Sequence, residues 1–147
     1  MRPEVDATLQ AVIERLMGEV QPALPTTYGQ GNLALMVMLL AASAEQWDTA
    51  AAWRVEENTQ LKALFRAAAP VVEGELAARL RAQASTPDVG LRISALNTEN
   101  DALRSLLVDL HAALEELEGP AARDIEQAIW NELAQSCRRR QLHSVAI

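Results

Sequence analysis

Apolar residues recur along this chain at steps of three and four, and no stretch of four or more residues alternates convincingly with strand-forming composition. Val5, Leu9, Val12 and Leu16, flanked by Ile13, Met17 and Val20, fall on one side of a helix. The spacing predicts a helix over residues 3–18, with Pro3 suited to its first position. Pro22, Pro25, Gly29 and Gly31 then crowd a segment assigned to a surface loop over residues 19–31, anchored by Tyr28.

A long helix is expected over residues 32–69, with Asn32 as its N-cap. One face reads Leu40, Ala44, Trp47, Ala51, Arg54, Asn58, Leu61, Phe65, Ala68, a heptad seam in which Trp47 belongs to the core. Pro70 removes a backbone donor, and the stripe changes phase to Val72, Leu76 and Leu80. A kink and a new helix over residues 70–84 remain equal readings. Thr86-Pro87-Asp88 has the form of a helix start, with a hydroxyl cap, a first-turn proline and an acid. The helix expected over 87–118 carries the most regular stripe of the chain: Val89, Ile93, Leu96, Asn100, Leu103, Leu107, Leu110, Leu114, Leu117. Gly119 ends it, and Pro120 opens a last helix over 120–140 with Ala122, Ile125, Ile129, Leu133 and Ser136 on one face.

Composition sharpens this into an all-α helical bundle, with the 147 residues forming a single domain. Half of the residues are apolar, and these are mainly Ala and Leu, while aromatics make up 3%. The formal net charge of −7 repels nucleic-acid phosphates and anionic membranes, so neither is an expected partner. Arg138–Arg140 is a single short basic run at a helix C-terminus, where cations are favoured anyway. The run Leu33–Ala42 is half the length of a membrane span and reads as a buried helix segment. With no signal-peptide core at the N-terminus and one cysteine, Cys137, a cytoplasmic protein without intrachain disulfides is expected.

No motif for metal, cofactor or nucleophilic chemistry stands out. A di-iron bundle needs Glu-x-x-His, but Val108 and Arg140 precede the two histidines, His111 and His143, by three. His111 and Glu115 make a lone pair one turn apart, and a thiol such as Cys137 is more often packing than a nucleophile. No metal, cofactor or catalytic residue is therefore assigned, and the balance is against an enzyme.

The chain does repeat itself once. Glu57-Asn58-x-x-Leu61-Lys62-x-Leu64 matches Glu99-Asn100-x-x-Leu103-Arg104-x-Leu106, with both copies in the same heptad phase. Chance similarity between Leu/Glu/Arg-rich heptads competes with a duplication or shared packing role. The seam asparagines Asn58 and Asn100 either fix helix register or line a polar pocket. Glu57–Lys62 and Glu99–Arg104 have the spacing of flanking pairs in a parallel two-helix contact, with solvated flanks as the simplest reading. The two seams exceed what one chain of this size can cover, so a homo-oligomer is expected, most simply a dimer. Trp53, Leu33 and Leu40 are its candidate interface residues. The leading expectation is a helical interaction or scaffold protein. The rival is a bundle with a small-ligand site lined by Arg54, Glu57, Asn58, Glu99 and Asn100.

Overall fold

A computed structural model describes residues 4–143. Pro3 therefore lies outside the described residues. The chain is all-helical: α1 is Val5–Arg15, followed by a π-helical stretch Leu16–Val20, then α2 Gln21–Ala23, α3 Thr27–Ala68, α4 Gly74–Ala84, α5 Ile93–Glu115 and α6 Pro120–Arg139. No strand occurs among the described residues. These elements form two compact units. One holds the residues up to Ala50 together with Gln141–His143, and the other holds Ala51–Arg140.

In the first unit, the expected loop over 19–31 is largely helical. Pro22 follows directly on the π-helical stretch Leu16–Val20, with Val20 and Gln21 both helical, so its missing N–H falls where the regular α-helical ladder is already interrupted. The cap of α3 is Thr26 and not Asn32: its hydroxyl accepts from the Gly29 N–H at 3.1 Å, and its carbonyl accepts from the Gln30 N–H at 3.0 Å. Gly29 and Gly31 are thus carried inside the helix, at about 1 kcal/mol each relative to alanine. Tyr28 anchors nothing and is 80% exposed. Trp47, expected in the core, is 60% exposed. Glu45 accepts from both the backbone N–H and the ring of His143, at 2.8 and 3.0 Å.

The second unit contains the core. Phe65, Leu80, Leu103 and Leu110 have no exposed surface, and Ile129 is 1% exposed. They pack with Leu61, Ala68, Ala77, Leu107, Leu114 and Ile125. The α5 stripe is buried from Leu96 to Leu114, while its expected ends Val89, Ile93 and Leu117 lie outside the core. Pro70 does not kink a continuing helix: α3 ends at Ala68, and the new helix of the second reading, α4, runs to Ala84 but begins at Gly74 and not at residue 70, with a φ of +65° that suits glycine. α4 then runs back along α3: Arg81 donates to the Ala69 carbonyl, Arg66 to the Ala84 carbonyl and Lys62 to the Thr86 carbonyl.

The Thr86-Pro87-Asp88 start is not used, and α5 opens five residues after Asp88, at Ile93. Lys62 claims the Thr86 carbonyl and Asp88, and Gly90 at φ +81° breaks the helical path. Gly119, at φ +126°, separates α5 from α6 as expected.

Candidate functional site

On α3, Arg54, Glu57, Asn58, Leu61, Lys62 and Phe65 follow helical spacing, and Leu96, Glu99, Asn100, Leu103 and Arg104 do the same on α5. Arg54 donates to Asn97 at 2.5 Å, Asn58 to the Leu96 carbonyl at 3.2 Å, and Asn100 to Asn58 Oδ1 at 2.8 Å. Lys62 meets both Thr86 and Glu99 while Arg79 meets Asp109, so α5 runs against α4 and therefore in the same direction as this part of α3. α6 runs against α5, since Arg104 meets Ser136 while His111 faces Glu126.

The repeated motif pairs with itself, crosswise. Asn58 Nδ2 donates to Glu99 Oε2 at 2.9 Å, and Asn100 Nδ2 donates to Glu57 Oε1 at 3.1 Å. Lys62 Nζ lies 2.6 Å from Glu99 Oε1, and Arg104 Nε donates to Glu57 Oε1 at 2.8 Å. The charges are not the solvated flanks that their spacing suggested: Glu57, Lys62 and Glu99 are 1%, 4% and 7% exposed. Asn58 and Asn100 are buried beside them. Of the five residues assigned to a ligand site, Glu57, Asn58, Glu99 and Asn100 form one hydrogen-bonded group, with Arg54 on the same helix face.

Three more residues complete the group. Arg140 donates to both oxygens of Glu57, at 2.9 and 2.8 Å, and the Ser136 hydroxyl donates to Glu57 Oε2 at 3.1 Å. Arg104 bridges Glu57, Asn100 and Ser136. The Trp53 ring lies 4.0 Å from the Arg54 guanidinium carbon and 4.7 Å from that of Arg140, so its π-face is engaged within the chain. Ser136 could have been flagged from sequence, as the polar member of an apolar α6 stripe. Arg140 could not, because its place at a helix end already explained it.

Burial alone would push the Glu57 carboxyl up. Hydrogen bonds from Arg140, Arg104 and Asn100, with the charge of Arg104, more than reverse this and hold it at about 2. Its two oxygens accept from four side chains, Asn100, Arg104, Ser136 and Arg140, which uses up their lone pairs. A carboxylate so occupied is a poor proton acceptor, and the cluster is built to hold helices together. Nearby, burial pushes the Glu132 carboxyl up despite its ion pair with Arg139. Arg54 is pushed down by burial and by the charge of Arg140, opposed by Glu57.

The amides therefore sit in a satisfied network within one chain. Asn100→Leu is expected to lower stability by about 1–3 kcal/mol, because Asn58 Oδ1 loses its donor and Arg104 an acceptor in a buried setting. Urea denaturation measures this; a more stable mutant would show that the amide is dispensable.

Concavities adjoin this core, and one of them borders the cluster. A cavity of about 80 Å³ is lined by Asn58 and Glu99 from the helices and by Asp88, Gly90 and Leu91 from the α4–α5 connection. A more open groove of about 300 Å³ runs between α5 and α6, with Leu107, Val108, His111, Trp130 and Leu133 on its walls. His111 stands edge-on to Trp130 and within 4 Å of Glu115 and Glu126, at 3.8 and 3.9 Å. Cys137 is an exposed free thiol and does not pack. No group of three or more His, Cys, Asp or Glu side chains is placed to hold a metal ion among the described residues.

The first unit offers a surface of another kind. Between Thr27 and Ala44 the sequence has no Asp, Glu, Lys or Arg. Leu33, a candidate interface residue, is buried, and Leu40 is half-buried. Their neighbours Leu35, Met36 and Leu39 are 57%, 60% and 65% exposed. No helix among the described residues is long and apolar enough to cross a membrane. Comparison with protein-family models, with known proteins and with solved structures finds no match for this chain.

Proposed function

We propose that this protein is a helical interaction protein that works as a homodimer, pairing through the charge-free face of α3 in its first unit. The observation that carries this reading is the exposure of Leu35, Met36 and Leu39 in a helical segment without a charged side chain on any face. A two-fold interface sets a patch against itself, so every charge on it is present twice and a charge near the axis faces its own copy. Two copies that each carry −7 repel one another wherever charge faces charge. The Thr27–Ala44 segment supplies contact without that penalty. Full burial of a Leu or Met side chain contributes about 1.5–3 kcal/mol, and a two-fold axis counts each one twice.

Light scattering at micromolar concentration tests the reading. The expected mass is that of two chains, and Leu39→Glu, which places a carboxylate on the patch, is expected to yield one-chain mass with helix content retained. A wild-type protein that stays monomeric throughout the micromolar range would overturn the proposal. So would a dimer indifferent to the glutamate.

A further inference from the structure

Glu57 and Glu99 hold equivalent places in the repeated motif, yet their surroundings are not equally filled. Each takes a cation from the twin helix: Arg104 for Glu57, Lys62 for Glu99. Glu57 also takes the Arg140 guanidinium, delivered by the end of α6. Glu99 receives nothing comparable. Its Oε2 accepts from Asn58, and its Oε1 meets Lys62 Nζ and no other donor among the described residues.

Helix length explains the difference. On the α6 side, Ser136 meets the Arg104 side chain and Arg140 follows four residues later. On the α4 side, the Thr86 carbonyl meets the Lys62 side chain, and the residue four later is Gly90. α6 stays helical to Arg139, whereas α4 stops at Ala84, so the turn that would carry an arginine to Glu99 is replaced by the connection through Asp88 and Gly90. Gly90 has no side chain, and a Cβ built on it meets nothing within 4 Å. The cavity of about 80 Å³ occupies this place, with Asn58 and Glu99 in its wall and Asp88 and Gly90 beside them.

Charge counts the same way. Glu57 is one anion with two cations, Arg104 and Arg140, while Glu99 and Asp88 are two anions around the single cation Lys62. We infer that this cavity binds a guanidinium or primary ammonium group, seated beside Glu99 as Arg140 is seated beside Glu57. A site for one water needs roughly 10–15 Å³, so the space admits a group of several heavy atoms. Val55, Leu91 and Leu96 in the lining suit an alkyl stem, and Asp88, 94% exposed at its side chain, turns one oxygen to Lys62 and can offer the other to an outer N–H. The ligand is either a small alkylguanidine or alkylamine, or an arginine or lysine side chain of another protein.

Nuclear magnetic resonance on the full chain tests the assignment, with methylguanidinium and methylammonium as probes and tetramethylammonium as a control. Saturable shifts are expected at the Asn58 side-chain amide and the Gly90 N–H with the first two probes, and none with the third, which has no donor. Asp88→Asn is expected to weaken binding by roughly two- to fivefold, the modest effect of an exposed charge. Leu91→Arg places a guanidinium on the connection itself and is expected to raise Tm and abolish the titration. A short arginine peptide that binds tighter than methylguanidinium identifies a protein side chain as the ligand, and equal or weaker binding identifies a small molecule. Linear, non-saturating shifts with both donor probes, or saturable shifts unchanged in both variants, would overturn the inference. Both outcomes are independent of the mass that tests the homodimer.

Discussion

Replacing Glu57 by alanine is expected to destabilise the second unit by about 3–5 kcal/mol, the range for removing one partner of a buried ion pair. The mutation strips the acceptor from Arg104, Arg140, Asn100 and Ser136 together. The Arg104 and Arg140 side chains are 37% and 39% exposed and can turn toward water, which favours the lower end of that range. Urea denaturation gives the number, and a loss below about 1 kcal/mol would mean that the cluster contributes little. Acid provides a second reading. In the fold Glu57 titrates at about 2, below its ordinary value of 4.5. Its contribution is therefore complete above the unfolded value and is lost as pH falls from there toward 2. Glu132 acts in the opposite sense: its raised value means that protonation removes a penalty. Glu57→Gln should flatten the acid limb of the stability profile, and a limb as steep as wild type would assign acid unfolding to other groups.

Leu103→Ala and Leu110→Ala are each expected to lower stability by about 2–5 kcal/mol, as cavity-forming core substitutions do. Neither leucine has exposed surface, and both pack in the same cluster as Phe65, Leu80 and Ile129. How far the neighbours collapse into the space decides where in that range each mutant falls. Chemical denaturation is the measurement; losses below about 1 kcal/mol in both would show that the α5 stripe is not the centre of the unit.

The α5 stripe was readable because nothing competes with it: leucines recur at steps of three and four, and the fold buries them from Leu96 to Leu114. Segment 19–31 is largely helical because the position of its prolines and glycines, and not their type alone, decides what they do. Pro22 sits just past the π-helical stretch, where the regular ladder is already broken, and Thr26 caps the next helix upstream of both glycines. Thr86-Pro87-Asp88 failed for a different reason. Its groups are taken by Lys62, which is 24 residues away from Thr86 in sequence and invisible to local reasoning. The self-similarity around Asn58 and Asn100 was visible, but its meaning was not. Crosswise pairing appears only when the two helices are set side by side in the same direction. Trp47 shows the limit of a seam: the pattern marks a face without saying what covers it.

The wiring of Glu57 has a consequence for how the second unit comes together. Its partners stand 43 residues away at Asn100 and 83 away at Arg140, on different helices. Drying a carboxylate costs several kcal/mol, and that cost is offset only when those groups arrive together. A half-assembled state with α6 undocked would leave Glu57 either wet, holding the helices apart, or dry and short of its Arg140 and Ser136 donors. Both are penalised relative to the complete fold. The buried charges thus act less as glue than as a veto on partial structures, and they favour unfolding of this unit in one all-or-none step.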